Sequence, residues 1–228
     1  MKIKNLFKRE APVISLEVFP PKSENPLEAI RPALESFQDL NIDYISVTYG
    51  AGGSSRSNTI EIASEIINKY KIETMSHLTG VACDEAGMLE IINSLENNNI
   101  ENVLALRGDF PQGYEPDPNV KPRFNYAKDL VTYLKDTTEL GIAAAAYPEG
   151  HLECMDMKKN IEFLKQKVDC GVDFLVTQLF FHNDNYYDFF DKAAKAGINI
   201  PVSAGIMPIL NAKQIKRITS LCGAVIPD

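Results

Sequence analysis

Residues 13–22 read VISLEVFPPK, a run dense in β-formers that carries a carboxylate in its middle and ends on two prolines. Side chains alternate along a strand. Ile14, Leu16 and Val18 therefore share a face suited to packing on helices, and Ser15 and Glu17 share the other. In a barrel of parallel strands that second face is the lumen. Glu17 is then expected inside, near the C-terminal end of the strand, where apolar walls raise a carboxylate pKa and suit it to general-acid work. A structural salt bridge to a neighbouring strand, for instance to Arg107, is the alternative role. Pro20 and Pro21 end the strand and stiffen the loop after it.

Working outward, the same strand-then-helix rhythm recurs. Strand patterns at 13–19, 43–50, 73–80, 102–109, 141–149, 173–181 and 198–208 alternate with helical patterns at 26–40, 58–70, 84–98, 126–140, 157–171, 183–197 and 211–223. Pro32 is expected to disturb the first of these helices. Repeated βα units imply parallel strands with helical crossovers. Two features favour a (β/α)8 TIM barrel over a doubly wound sheet. No GxGxxG follows the first strand, and each strand gathers polar residues at its C-terminal end, the active-site face of such barrels. Only residues 224–228 follow the seventh helix, so the expectation is a single catalytic barrel domain over 1–228 that lacks the last βα unit in this chain, with a truncated C-terminus.

Composition narrows the function classes. The 228 residues are 45% hydrophobic and 24% charged with a formal net charge of −8, an ordinary globular balance without the basic face that nucleic acid requires. No apolar run approaches the ~20 residues of a membrane span, and MKIKNLFKRE has no signal-peptide core. A cytoplasmic location is expected. Cys83, Cys154, Cys170 and Cys222 form no CxxC pair, which points to reduced thiols and to neither a disulfide framework nor a zinc site. No metal is expected.

The strand ends place together Ser46 and Thr48, His77, Arg107 and Asp109, Tyr147, Glu149 and His151, and Gln178. Each has a plainer reading. Arg107 and Asp109 would pair and fix their loop, His77 would be a satisfied core histidine, and Gln178 would cap a lumen layer. His182 reads as surface. Phe180, Phe181, Tyr186, Tyr187, Phe189 and Phe190 read mostly as helix–sheet core, with one or two left to reach a ligand.

SLEVFPPK (15–22), VTYGAGGSSR (47–56), HLTG (77–80), LALRGD (104–109), AAYPEGH (145–151), FLVTQLFF (174–181) and GIMPI (205–209) occur in that order. The ordered set resembles the methylenetetrahydrofolate reductase family of the bacterial, FAD-containing type. The resemblance implies a flavin-bearing (β/α)8 barrel, an oxidoreductase of one-carbon metabolism and methionine biosynthesis. Such an enzyme reduces 5,10-methylenetetrahydrofolate to 5-methyltetrahydrofolate, with electrons from NADH or NADPH passing through FAD in a ping-pong scheme.

The resemblance also implies roles. Glu17 falls on the general acid that protonates N10 of the folate and opens its ring to a 5-iminium cation. Asp109 falls on the aspartate beside flavin and folate, and Gln178 on the glutamine that binds the pterin. Thr48, Tyr49, His77, Arg107, Gly108, Asp109, Tyr126, Ala127, Tyr147, His151 and Lys167 fall on FAD-contacting positions, with Arg107, His151 and Lys167 suited to the pyrophosphate. The loop 110–124 would fold against the cofactor. Three positions depart from the family pattern. Ile218 stands where a relative stacks a phenylalanine on folate and nicotinamide, and Asn160 and Phe163 replace an aspartate and an asparagine that help hold FAD. Association as a homo-oligomer or with a partner subunit is expected. The alternatives are a truncated, non-catalytic barrel subunit that binds folate or a partner protein, and a proline-dehydrogenase-like flavin barrel, which would give Glu17 and Gln178 no role.

Overall fold

In the computed structural model every strand is shorter than its apolar run. The described residues are 1–49, 56–110, 113, 122–154 and 156–227, with backbone alone at position 56. They form two units, Met1–Ile142 and Ala143–Asp228.

The first unit opens with a 3-10 turn, Ile3–Lys8, and continues as β1 (Ser15–Val18), α1 (Pro26–Ser36), β2 (Tyr44–Val47), α2 (Arg56–Glu65, extended by a π-turn over Ile66–Tyr70), β3 (Glu73–Thr79), α3 (Glu85–Asn97), β4 (Asn102–Leu106) and α4 (Ala127–Thr137). The strands pair in chain order, β1-β2-β3-β4, and the first three pairs are parallel. A doubly wound sheet reverses direction beside its first strand; this order does not. Pro26 occupies the first turn of α1, where its missing N–H costs nothing. Pro32 does not break the helix, which runs through it and forgoes one backbone bond. Asp84 caps α3 by accepting from Gly87 N at 2.8 Å.

The second unit carries β5 (Gly141–Ala146, which begins in the last residues of the first unit), α5 (Met157–Asp169), β6 (Phe174–Thr177), α6 (Asn183–Lys195), β7 (Val202–Ser203) and α7 (Ala212–Cys222). β5, β6 and β7 pair in parallel, again in chain order. Asp156 and Asn211 cap α5 and α7 through pairs of backbone N–H groups. β7 closes tightly on β6. Gly205 N donates to Thr177 Oγ1 at 2.9 Å, and a Cβ on Gly205 would lie 2.3 Å from Thr177 O, so only glycine fits.

All four residues of β2 are buried, as expected of a parallel strand covered on both faces. Ile62 and Ile66, Met88, Ile92 and Leu95, and Leu130, Val131 and Leu134 cover one side of this sheet from α2, α3 and α4. In the second unit Ala143, Ala144, Phe174 and Leu175 are buried with Ile161 and Leu164 of α5 and Phe189 and Ala193 of α6. Two expectations are corrected. In the first strand Val18 is buried but Ile14 is 53% exposed. Of the aromatic run only Phe189 is core, since Tyr187 and Phe190 are exposed and Phe180 stacks on Tyr186 at 4.9 Å between ring centres. A helix gives its core face to every third or fourth residue, and consecutive aromatics cannot all share it.

Asn102, fully buried at the start of β4, ties the N-terminal segment to the sheet. Its Oδ1 accepts from Ile3 N at 2.9 Å, and its Nδ2 donates to Met1 O at 2.9 Å and Glu73 Oε1 at 3.1 Å. Removing the amide leaves the buried Ile3 N–H without a partner. Asn102→Ala is expected to cost about 2–3 kcal/mol, seen as a lower urea midpoint at constant slope. An unchanged midpoint would mean that the amide is not a structural anchor.

Candidate functional site

Register decides which side chains meet in the first unit. Glu17 pairs with Ser46, and Ser46 with Met75. His77 lies two residues beyond Met75, hence on the same face of β3. Ser46 Oγ stands 2.8 Å from His77 Nε2, and Glu17 Oε2 stands 3.5 Å from the same nitrogen. Ser46 and His77 are enclosed, but the Glu17 side chain is 44% exposed. The expected burial of Glu17 among apolar walls is therefore corrected: water still reaches the carboxylate. Its partner is His77, not Arg107.

Thr48 follows β2. Its N–H donates to Val18 O at 3.0 Å, and its carbonyl accepts from Thr59 Oγ1 at 3.0 Å. Its own hydroxyl is buried with no hydrogen-bond partner among the described residues. Tyr49, Thr59, Ser76, His77 and Thr79 line a small cavity. Past β4, Arg107 O accepts from Val81 N at 2.8 Å. Gly108 takes φ +83°, and a Cβ there would come within 2.8 Å of Thr79 Cβ, so backbone angle and lack of space both require glycine. Asp109 is exposed. Tyr126 precedes α4, 62% exposed, with its N–H held by Asp129 Oδ2 at 2.9 Å, and Ala127 begins the helix. The GlyGlySerSer turn and most of the loop 110–124 lie outside the described residues.

In the second unit Tyr147 and His151 meet edge to face at 4.8 Å. His151 N donates to Asn160 Oδ1 at 2.9 Å, and Asn160 Nδ2 donates to Cys154 O at 2.6 Å and Asp156 O at 2.9 Å. Asn160, which departs from the family pattern, thus shapes the loop that carries His151. Phe163 is 56% exposed, and Ile218 is half-buried on α7. Glu149 joins two segments, accepting from Asn185 Nδ2 at 2.6 Å and Val225 N at 2.8 Å. Gln178 follows β6; its N–H donates to Ala146 O at 2.7 Å, and its Oε1 accepts from Leu179 N at 2.9 Å.

Lys167 of α5 is half-buried as a residue, with its ammonium end enclosed. Nζ donates to Ala145 O at 2.6 Å, no described carboxylate pairs with it, and desolvation lowers its pKa to about 8. An enclosed cation with only a neutral partner is a costly arrangement that an anionic ligand would relieve.

Sequence reasoning named His77 and Glu17 but gave Ser46 no role beyond its face. The signal was present, since Ser46 and Thr48 share one side of the second strand. Asn160 was read as a loss, and its work within the loop is visible only in three dimensions. A Thr48 hydroxyl without a partner among the described residues and the enclosed Lys167 ammonium are features of this chain that fit a polar, anionic cofactor such as FAD.

The methylenetetrahydrofolate reductase family model matches residues 2–228. The chain is 36% identical to "Methylenetetrahydrofolate reductase (NADH) 1" of Arabidopsis thaliana over 99% of its own length and 40% of that protein. It is 35% identical to "5,10-methylenetetrahydrofolate reductase" of Escherichia coli strain K12, over 94% of this chain and 70% of that one. It thus spans about 40% of the length of the plant relatives it matches. Among solved structures, a phosphoenolpyruvate phosphomutase from Streptomyces platensis subsp. rosaceus superposes with a TM-score of 0.57 at 12% identity, over 96% of this chain and 83% of that one, a likeness of fold alone.

Lys167 sets a pH signature. Its folded pKa of about 8 lies below the ordinary lysine value of 10.5, so the unfolded chain binds more protons between those limits. Its contribution to stability therefore rises as pH climbs from about 8 to 10.5, by about 3 kcal/mol at most. Lys167→Met is expected to be more stable than the parent at pH 7, with the difference shrinking toward pH 10.5. Urea titrations across that range measure it, and a pH-independent difference would contradict a desolvated ammonium.

Proposed function

Because the chain belongs to the methylenetetrahydrofolate reductase family, we propose that it reduces 5,10-methylenetetrahydrofolate to 5-methyltetrahydrofolate with NAD(P)H as electron donor. The observation that carries this reading is the family match over residues 2–228. NADH is the donor named for the Arabidopsis relative. FAD is the cofactor proposed here, and when bound it supplies the hydride chemistry between nicotinamide and folate.

The chain's own groups hold the cofactor and move the proton. Thr48 offers a hydroxyl that has no partner among the described residues, and Gly108 is proposed as a backbone contact. Tyr49, His77, Arg107, Asp109, Tyr126, Ala127, Tyr147 and His151 complete the proposed contacts, and Lys167 offers positive charge to the pyrophosphate. Glu17 donates its proton to N10 of the folate, and the five-membered ring opens to the 5-iminium cation. Asp109 favours that cation by its negative charge, and Gln178 hydrogen-bonds the pterin. In the free protein Glu17 is 44% exposed. In this reading the bound pterin displaces the water over it and supplies the desolvation that a neutral general acid needs. Cytoplasmic action and self-association or a partner subunit complete the reading. Among the described residues no helix is long and apolar enough to cross a membrane.

Purified protein loaded with FAD is expected to lose its visible flavin absorbance under anaerobic NADH and to regain it when methylenetetrahydrofolate is added. A protein that takes up no FAD would favour a non-catalytic barrel subunit. Glu17→Gln is expected to leave flavin reduction by the nicotinamide intact and to slow folate reduction by about 10²-fold or more. Stopped-flow measurement of the two half-reactions decides this, and unchanged folate reduction would remove Glu17 from the acid role.

A further inference from the structure

Glu17 is an exposed carboxylate on a short strand, and among the described residues its one partner is the His77 ring at 3.5 Å. A general acid has to be held against its substrate within a fraction of an ångström, yet a glutamate that is 44% exposed is free to change rotamer. What holds it must therefore be the group beside it. That group is itself fixed: His77 is 9% exposed as a side chain, and Ser46, 5% exposed, meets its Nε2 at 2.8 Å.

We infer that Ser46 and His77 are positioning residues for Glu17, the serine hydroxyl fixing the ring flip of His77 so that Nε2 faces the Glu17 carboxyl. Without the hydroxyl, the only group among the described residues left to distinguish a nitrogen edge from a carbon edge is the more distant and exposed Glu17 carboxylate itself. Ser46 suits this task because it is paired with Glu17 in the β1–β2 register. The serine, the histidine and the carboxyl thus occupy three adjacent strands, and the distance from Ser46 to the ring is set by backbone pairing. The inference deepens the proposed function and rests on it for the role of Glu17, though not for the contact itself.

Ser46→Ala separates this from a general structural role, because Ser46 is not among the residues proposed to touch FAD. In FAD-loaded protein the folate half-reaction is expected to slow about tenfold, while flavin reduction by NADH stays within about twofold. Ser46→Thr, which keeps a hydroxyl, is expected to recover most of the lost rate. Equal losses in both half-reactions, or no loss in either, would overturn the inference.

A second readout needs no turnover. The chain has three histidines, so the ring 15N resonances of His77 can be assigned by comparison with His77→Gln. They are expected to move in both Ser46→Ala and Glu17→Gln. Resonances unmoved by both substitutions would sink the idea. Should the protein prove unable to reduce methylenetetrahydrofolate, the proposed reaction fails, and the NMR result still decides whether the serine and histidine position the carboxyl.

Discussion

Residue-for-residue parallel pairing of β1, β2 and β3 is the constraint on which the first unit's chemistry depends. The ladder sets Glu17 beside Ser46 and Ser46 beside Met75, and the two-residue period of the strand then brings His77 to the same face. A slip of one residue between β2 and β3 would turn the histidine to the helical side, and one between β1 and β2 would turn the carboxylate there. The apolar residues between them enforce the register. Ile45, Val47 and Met75 are buried and cannot change faces without exposing that surface to water.

The strands are held from below and released above. Asn102 fastens the N-terminal segment to the start of β4, and Gly141 N donates to Glu101 O at 2.8 Å. At the other end pairing stops early, after four residues in β1, β2 and β6. Thr48, Arg107, Gly108, Asp109, Tyr147 and Gln178 follow the ends of their strands, with the Thr48 and Gln178 N–H groups still bonded to the neighbouring strand. Short strands and functional loops are thus one feature. Residues within the ladder, such as Glu17, Ser46 and His77, have their face fixed by strand pairing, and residues after the strand ends are placed by their loops.

Thr48 and Lys167 each hold a group in an arrangement that stability alone would not favour. The Thr48 hydroxyl is buried with no partner among the described residues, a state it shares with the Tyr70 and Thr74 hydroxyls, and the Lys167 ammonium is enclosed against a neutral carbonyl. A ligand is one way in which such a group is completed. Thr48 and Lys167 fall on positions that the family resemblance assigns to the cofactor, and Tyr70 and Thr74 do not.

The order of seven strands and seven helices was legible in the sequence because hydrophobic periodicity is local, and so were the glycine of LRGD and the polar strand ends. The ordered motifs marked Glu17, Asp109 and Gln178 as a set. The strand limits, however, were overestimated at nearly every C-terminal end, since a β-forming residue reads alike whether or not a neighbour pairs with it. Burial escaped too. Alternation placed Glu17 and Ile14 on opposite faces, but both are exposed, because coverage depends on what packs over a strand. The partnership of Ser46, His77 and Glu17, the loop work of Asn160 and the unmet charge of Lys167 were decided only by tertiary structure. Each depends on a distance between segments far apart in the chain, and no local pattern encodes it.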